Sequence, residues 1–71
     1  ELGLAQSLAE TIDKVSASTD IRFRFIVTGK ERRLDAGTEV QIFRIAAELI
    51  NDIVKNSSAT QATVQLVYGP D

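Results

Sequence analysis

Several residue types are missing from this 71-residue chain, which has no histidine, cysteine, methionine or tryptophan and a single proline. Without histidine or cysteine the chain cannot build a zinc site of the usual kind, ligate haem through these residues, or form a disulfide framework. The same absence excludes Ser-His-Asp triads and Cys-His nucleophile pairs. The chain therefore cannot use metal sites or activated nucleophiles that depend on histidine or cysteine.

Charge and hydrophobicity are moderate. The chain has 8 Lys and Arg against 10 Asp and Glu, a net charge of -2, so it lacks the basic footprint of a nucleic-acid binder and we expect no nucleic-acid partner. The longest apolar runs are three residues, too short to span a bilayer. The chain starts at Glu1 and has no methionine, so we expect a piece of a longer protein whose membrane segments, if any, lie outside it.

Hydrophobic periodicity predicts four elements in the order α-β-α-β. Leu4, Leu8, Ile12 and Val15 recur at helical spacing and predict a helix over residues 4–16. Residues 21–28 alternate apolar with polar side chains and predict a strand, followed by a charged turn over 29–33.

A long amphipathic helix is predicted from Thr38 to about Ser57. Thr38 and Gln41 have the spacing of a capping box, and no Gly or Pro interrupts the helical period that follows. A strand over residues 61–68 and a turn over 69–71 complete the chain. Two helices on one face of two strands would form an incomplete α/β layer, which we expect further strands or a second chain to complete.

One group of polar residues has a spacing that suggests chemistry. Glu48, Asp52 and Lys55 lie at positions i, i+4 and i+7 of the long helix, and Asn56 lies beside them. Two carboxylates and an amine on one helix face can hold a hydrated Mg²⁺ and a phosphate. The alternative is an ordinary solvated helix face with an Asp52–Lys55 ion pair.

The sequence around this group resembles the N-box of sensor histidine kinases. The stretch from Phe43 to Thr60, read as FRIAAELINDIVKNSSAT, is similar to the form found in the subfamily of nitrate-sensor and lipid-fluidity-sensor kinases. Residues 2–12 resemble the opening helix of the same ATPase domain, residues 21–29 its first strand, and residues 59–66 the strand after the N-box. The resemblance covers nearly the whole chain.

The resemblance implies a fold and a set of roles. Residues 1–71 would be the N-terminal half of a Bergerat-type ATP-binding α/β sandwich, a single incomplete domain. Glu48 matches the catalytic N-box Glu that positions or activates a water. Asp52 stands where the N-box Asn ligates Mg²⁺, and Lys55 matches the phosphate-binding Lys. Asn56 stands where a His follows, so all four would lie at the nucleotide.

Two positions depart from the family pattern. Asp52 replaces an Asn, which keeps a metal ligand but adds negative charge beside a polyphosphate. Asn56 replaces a His and removes a cationic contact. The Asp-x-Gly-x-Gly box that reads adenine in this family is not present in the chain, and neither is the phospho-accepting His. The resemblance thus implies that this piece alone is inactive.

The function implied for the parent protein is a two-component sensor kinase. It would bind Mg²⁺ and ATP, transfer the γ-phosphoryl group to a His outside this chain, act as a homodimer in the cytoplasm, and serve a response regulator. A non-catalytic dimerisation or interaction module on a degenerate ATPase-like scaffold is the main alternative. A related serine kinase of the anti-sigma-factor sort fits the motif context less well.

Overall fold

A computed structural model of the chain describes residues 3–69 and confirms the predicted α-β-α-β order. Helix α1 spans Leu4–Ala17, strand β1 Arg22–Thr28, helix α2 Ala36–Asn56 and strand β2 Gln61–Val67. The strands differ from the predicted ranges by one residue at one end each. The turn expected at 69–71 lies largely outside the described residues.

The two strands form a parallel two-stranded sheet joined through α2, so β1, α2 and β2 make one β-α-β unit. The register pairs Arg22 with Gln61 and Phe25 with Val64. Residues paired in a parallel ladder point to the same side, so Phe25 and Val64 share one face, which is half-buried, while Arg22 and Gln61 share the exposed one. The helices therefore pack against a single face.

The core is centred on α1. Four of its residues at helical spacing are buried, namely Leu4, Ala5, Leu8 and Ile12. Ile50 of α2 joins them, and Leu8 and Ile50 are each only 2% exposed. Ile21 and Tyr68 are also buried, at the start of β1 and just after β2. The core thus combines side chains of both helices with residues that flank the two strands.

Helix α2 begins at Ala36, earlier than the capping-box prediction at Thr38. Asp35 is the N-cap residue, and its carboxylate accepts a hydrogen bond from the Thr38 backbone N–H at 3.0 Å. The Thr38 hydroxyl also donates to Asp35. The prediction was wrong because Asp35 offers a charged acceptor one turn earlier, and a carboxylate suits the positive end of the helix.

The loop between β1 and α2 closes over the end of β2. Gly29 adopts a φ of 90°, and a side chain there would meet the carbonyl oxygen of Tyr68. The Tyr68 backbone N–H donates to the Thr28 carbonyl at 2.9 Å, and Arg32 Nη1 donates to the Gly69 carbonyl at 3.2 Å. Only glycine satisfies both the left-handed backbone and the close approach at this position.

We expect Gly29→Ala to destabilise the fold by at least about 1–2 kcal/mol, the cost of a left-handed conformation for a residue with a Cβ. Gly37→Ala is the matched control, because Gly37 lies in α2 and an added Cβ meets only ordinary contacts there. The control variant should be as stable as the wild type or more so. Urea denaturation followed by circular dichroism measures both, and an unchanged midpoint for Gly29→Ala would contradict this account.

Candidate functional site

The predicted site residues form a polar stripe on α2. We use this name for Glu48, Asp52, Lys55 and Asn56. All four side chains are exposed. At about 100° of rotation per residue they lie within an arc of about 100°, so one ligand could reach all of them. The helix thus places the four residues on one side, as the spacing predicts.

Two members of the polar stripe are hydrogen-bonded to each other. Asn56 Nδ2 donates to Asp52 Oδ1 at 2.7 Å, one helical turn away. The Asp52–Lys55 ion pair of the solvated-face alternative is not formed; within residues 3–69 the ion pair is between Arg33 and Glu39. Sequence reasoning missed the Asp52–Asn56 bond, although the i, i+4 spacing of an acceptor and an amide is a signal for it.

The capacity of the stripe for a metal depends on Asp52. No group of three or more acidic side chains within residues 3–69 is placed to hold a metal ion. Mg²⁺ is commonly held by one or two carboxylates, with phosphate and water oxygens completing its octahedron. The exposed Asp52 carboxylate, with one oxygen engaged by Asn56, fits that mode of binding. The donor set suits a metal that arrives with a phosphate.

An apolar groove of about 450 Å³ runs between α2 and β2. We call this the α2–β2 groove. Ile45 and Leu49 lie along it and are 60% and 61% exposed. Leu49 is at the edge of the apolar face of the helix, and Ile45 lies beyond that edge, on the side of Asp52. Its other lining residues include Leu8 and Ile50 from the core and Val64 and Leu66 from β2. The described elements leave this part of α2 uncovered.

The polar stripe borders the α2–β2 groove. Leu49 lies seven residues before Asn56 and three before Asp52, so it projects from nearly the same side of the helix. Ile45 lies seven residues before Asp52 in the same way. The groove is lined by apolar side chains and by Thr63 and Gln65, and none of the four stripe residues lines it. An apolar surface and a polar stripe therefore adjoin along α2.

A second groove of about 380 Å³ lies near the start of α2, and the sequence analysis did not identify it. Leu4, Val40 and Phe43 supply its apolar wall, and Arg33 and Arg44 its positive charge. Glu39 also lines it and is almost completely buried. No residue of the polar stripe contributes to this groove.

Glu39 connects the loop to the helix. Its Oε2 accepts from the Leu34 backbone N–H at 3.0 Å, and its Oε1 accepts from Arg33 Nη2 at 3.3 Å. The Leu34 hydrogen bond is the main cause that lowers the pKa of Glu39, and the Arg33 guanidinium lowers it further. These effects outweigh burial and the negative charge of Asp35, which raise the pKa. Glu39 thus orders the loop as an ionised carboxylate.

We expect Glu39→Gln to lower the melting temperature at pH 7, by an amount that shrinks on acidification. A lowered folded pKa means that the ionised Glu39 stabilises the fold fully above its ordinary pKa of 4.5. That stabilisation is lost as the pH falls through the lowered value, where wild type and variant become alike. Melting curves from about pH 7 to pH 3 measure the difference.

The control for this prediction is Glu48→Gln, which removes an exposed carboxylate from the same helix. It should leave the melting temperature unchanged across the range, since surface charges contribute little. A Glu39→Gln deficit that stayed constant down to pH 3 would mean that ionisation of Glu39 does not stabilise the loop.

Comparison of the chain with protein-family models, with curated proteins and with solved structures finds no match. Within residues 3–69 no helix is both long enough and apolar enough to cross a membrane. The interpretation of the site therefore depends on its residues and their geometry.

Proposed function

We propose that this chain is the N-terminal half of the Mg-ATP-binding domain of a sensor histidine kinase. The observation that carries the proposal is the polar stripe lying directly beside the α2–β2 groove. The resemblance of residues 43–60 to an N-box supports the same assignment independently. The parent protein would transfer the γ-phosphoryl group of ATP to a histidine outside these 71 residues.

A nucleotide has an apolar part and a charged part, which correspond to the α2–β2 groove and the polar stripe. Its base is a flat, largely apolar ring, and its triphosphate is a dense negative charge that binds Mg²⁺. The α2–β2 groove offers Ile45 and Leu49 as apolar contacts, and the stripe offers Lys55 as a cation. Phosphoryl transfer is catalysed mainly by positioning and charge stabilisation, which such a stripe can supply.

Three of the four stripe residues, all but Asn56, take one role each in this proposal. Asp52 would hold Mg²⁺, which when bound offsets the charge of the phosphates. Lys55 would contact a phosphate directly. Glu48 would act at the reacting end as the group that positions or activates the attacking imidazole of the acceptor histidine, with ADP as the leaving group. The 71 residues contain no Asp-x-Gly-x-Gly box, so by themselves they would bind ATP weakly or not at all.

The proposal extends to the surroundings of the domain. The parent would work as a cytoplasmic homodimer, with any membrane anchor supplied by segments outside this chain. A response regulator would accept the phosphoryl group from the modified histidine.

In the protein that carries the complete domain, Lys55→Ala should weaken Mg-ATP binding by about 10- to 100-fold, the loss expected for a hydrogen bond to a charged group. Glu48→Ala should slow phosphoryl transfer by about 100-fold or more with a smaller effect on binding. Titration with a fluorescent ATP analogue and autophosphorylation with labelled ATP measure the two effects separately.

Asn51→Ala is the matched control, because Asn51 is exposed on the same helix but points about 60° or more away from all stripe residues except Lys55. It should bind and transfer like the wild type. Unchanged Mg-ATP affinity and turnover in both Lys55→Ala and Glu48→Ala, with all variants folded, would leave the stripe as a solvated helix face.

A second candidate function is a dimerisation module that pairs through the α2–β2 groove. Strand β2 contains no charged residue, and its edge away from β1 has no neighbour among the described strands. Native edges are usually protected by charges against pairing with another chain. Antiparallel pairing of β2 with the same strand of a second copy would extend the sheet and cover Ile45 and Leu49.

This candidate predicts a dimer of the 71-residue chain in sedimentation velocity runs at about 100 μM, the range of weak self-association. Leu49→Glu should shift the species to monomer by placing a charge in the groove. Val40→Glu is the control, since Val40 is 51% exposed but lies outside the α2–β2 groove. A monomer at every concentration would exclude the candidate.

A further inference from the structure

Asp52 and Asn56 are the two stripe positions that depart from the N-box pattern, and they are the two that are bonded to each other. Asn56 Nδ2 lies 2.7 Å from Asp52 Oδ1. Both side chains are exposed, and within residues 3–69 Asp52 is not engaged in an ion pair. The two departures are therefore physically coupled in this chain and do not act as separate losses.

The bond changes what Asp52 can do. An exposed carboxylate on a helix rotates among several rotamers, and a ligand to Mg²⁺ must give up that freedom. The Asn56 amide engages one oxygen and leaves Oδ2 without a protein partner in the described contacts. Metal-binding carboxylates are commonly held by such a hydrogen bond, and its loss weakens metal binding.

We propose that Asn56 is a positioning residue for Asp52: its amide orients the carboxylate so that Oδ2 is presented to Mg²⁺. This inference rests on the proposed function, because it takes Asp52 as the metal ligand. It differs from the role that the resemblance implies, in which the residue at position 56 contacts the nucleotide itself. Asn56 acts through Asp52 and touches neither the phosphates nor the base.

The test separates these roles by the dependence of nucleotide affinity on Mg²⁺. The Kd for a fluorescent ADP analogue is measured with and without Mg²⁺ in the protein that carries the complete domain. Asn56→Leu keeps the shape of the side chain but cannot donate a hydrogen bond. Asn56→Gln keeps the amide, which can reach an Asp one turn earlier. Asn51→Leu makes the same substitution at another exposed position of α2.

We expect Asn56→Leu to reduce the Mg²⁺-dependent gain in affinity by about 10-fold and to leave the Mg²⁺-free Kd unchanged. Asn56→Gln should restore most of the gain, and Asn51→Leu should have the wild-type gain. In an Asp52→Ala background, Asn56→Leu should have no further effect, since the residue through which it acts is gone. Thermal melts verify that each variant is folded.

Three outcomes would overturn the inference. An equal loss with and without Mg²⁺ would mean that Asn56 contacts the nucleotide directly. An undiminished loss in the Asp52→Ala background would mean that Asn56 does not act through Asp52. If Asn56→Leu kept the full Mg²⁺-dependent gain in affinity of the wild type, the positioning role of Asn56 would be excluded, and the proposed function would be unaffected. If instead the wild type binds nucleotide with no gain from Mg²⁺, the proposed function fails, and this inference fails with it.

Discussion

The packing of α1 against α2, centred on Leu8 and Ile50, is the interaction on which the rest of this structure depends. These are its two most deeply buried large side chains, and they come from helices separated by a strand and a loop. Once Ile50 is turned inward, the rotation of α2 about its axis is set. The polar stripe and the α2–β2 groove follow from that rotation, because every other side chain of the helix is then directed by the helical repeat.

The same packing also explains why part of the apolar surface stays open. The apolar pattern of α2 is wider than the area that α1 and two strands can cover, so Ile45 and Leu49 remain about 60% exposed. We propose that this apolar strip is covered by a ligand or by another polypeptide, since contiguous exposed apolar surface often has such a role. Because it adjoins charged and amide side chains, a ligand with an apolar part and a phosphate part is the better match. A second copy of the chain would use the apolar part only.

Polar contacts determine where α2 begins and how the loop between β1 and α2 is held. Asp35 caps α2 and Glu39 draws in the Leu34 N–H and the Arg33 guanidinium, so the loop after β1 is held at the start of the helix. Gly29 lets the chain leave β1 close to Tyr68. The contacts of Asp35 and Glu39 join residues that are near in sequence, whereas Gly29 and Tyr68 are far apart in it, and the periodicity of the chain reveals neither kind. Hydrophobic periodicity indicates which residues are buried. Which acceptor forms a hydrogen bond with a given backbone N–H depends on local geometry.

The sequence alone determined the four elements, their order and the shared side of Glu48, Asp52, Lys55 and Asn56, because helical and strand repeats dictate which residues face together. The sequence pattern placed the start of α2 too late, because Asp35 and Thr38 are both suitable N-cap residues and lie one turn apart. The parallel pairing of β1 with β2, the burial of Glu39 and the open groove beside Leu49 were decided only by tertiary structure. Each depends on how much surface distant elements cover, and on which of several hydrogen-bond partners comes within reach once the chain is folded. The Asp52–Asn56 bond is local to α2, but the sequence left it open, because the spacing permits it and equally permits an Asp52–Lys55 pair.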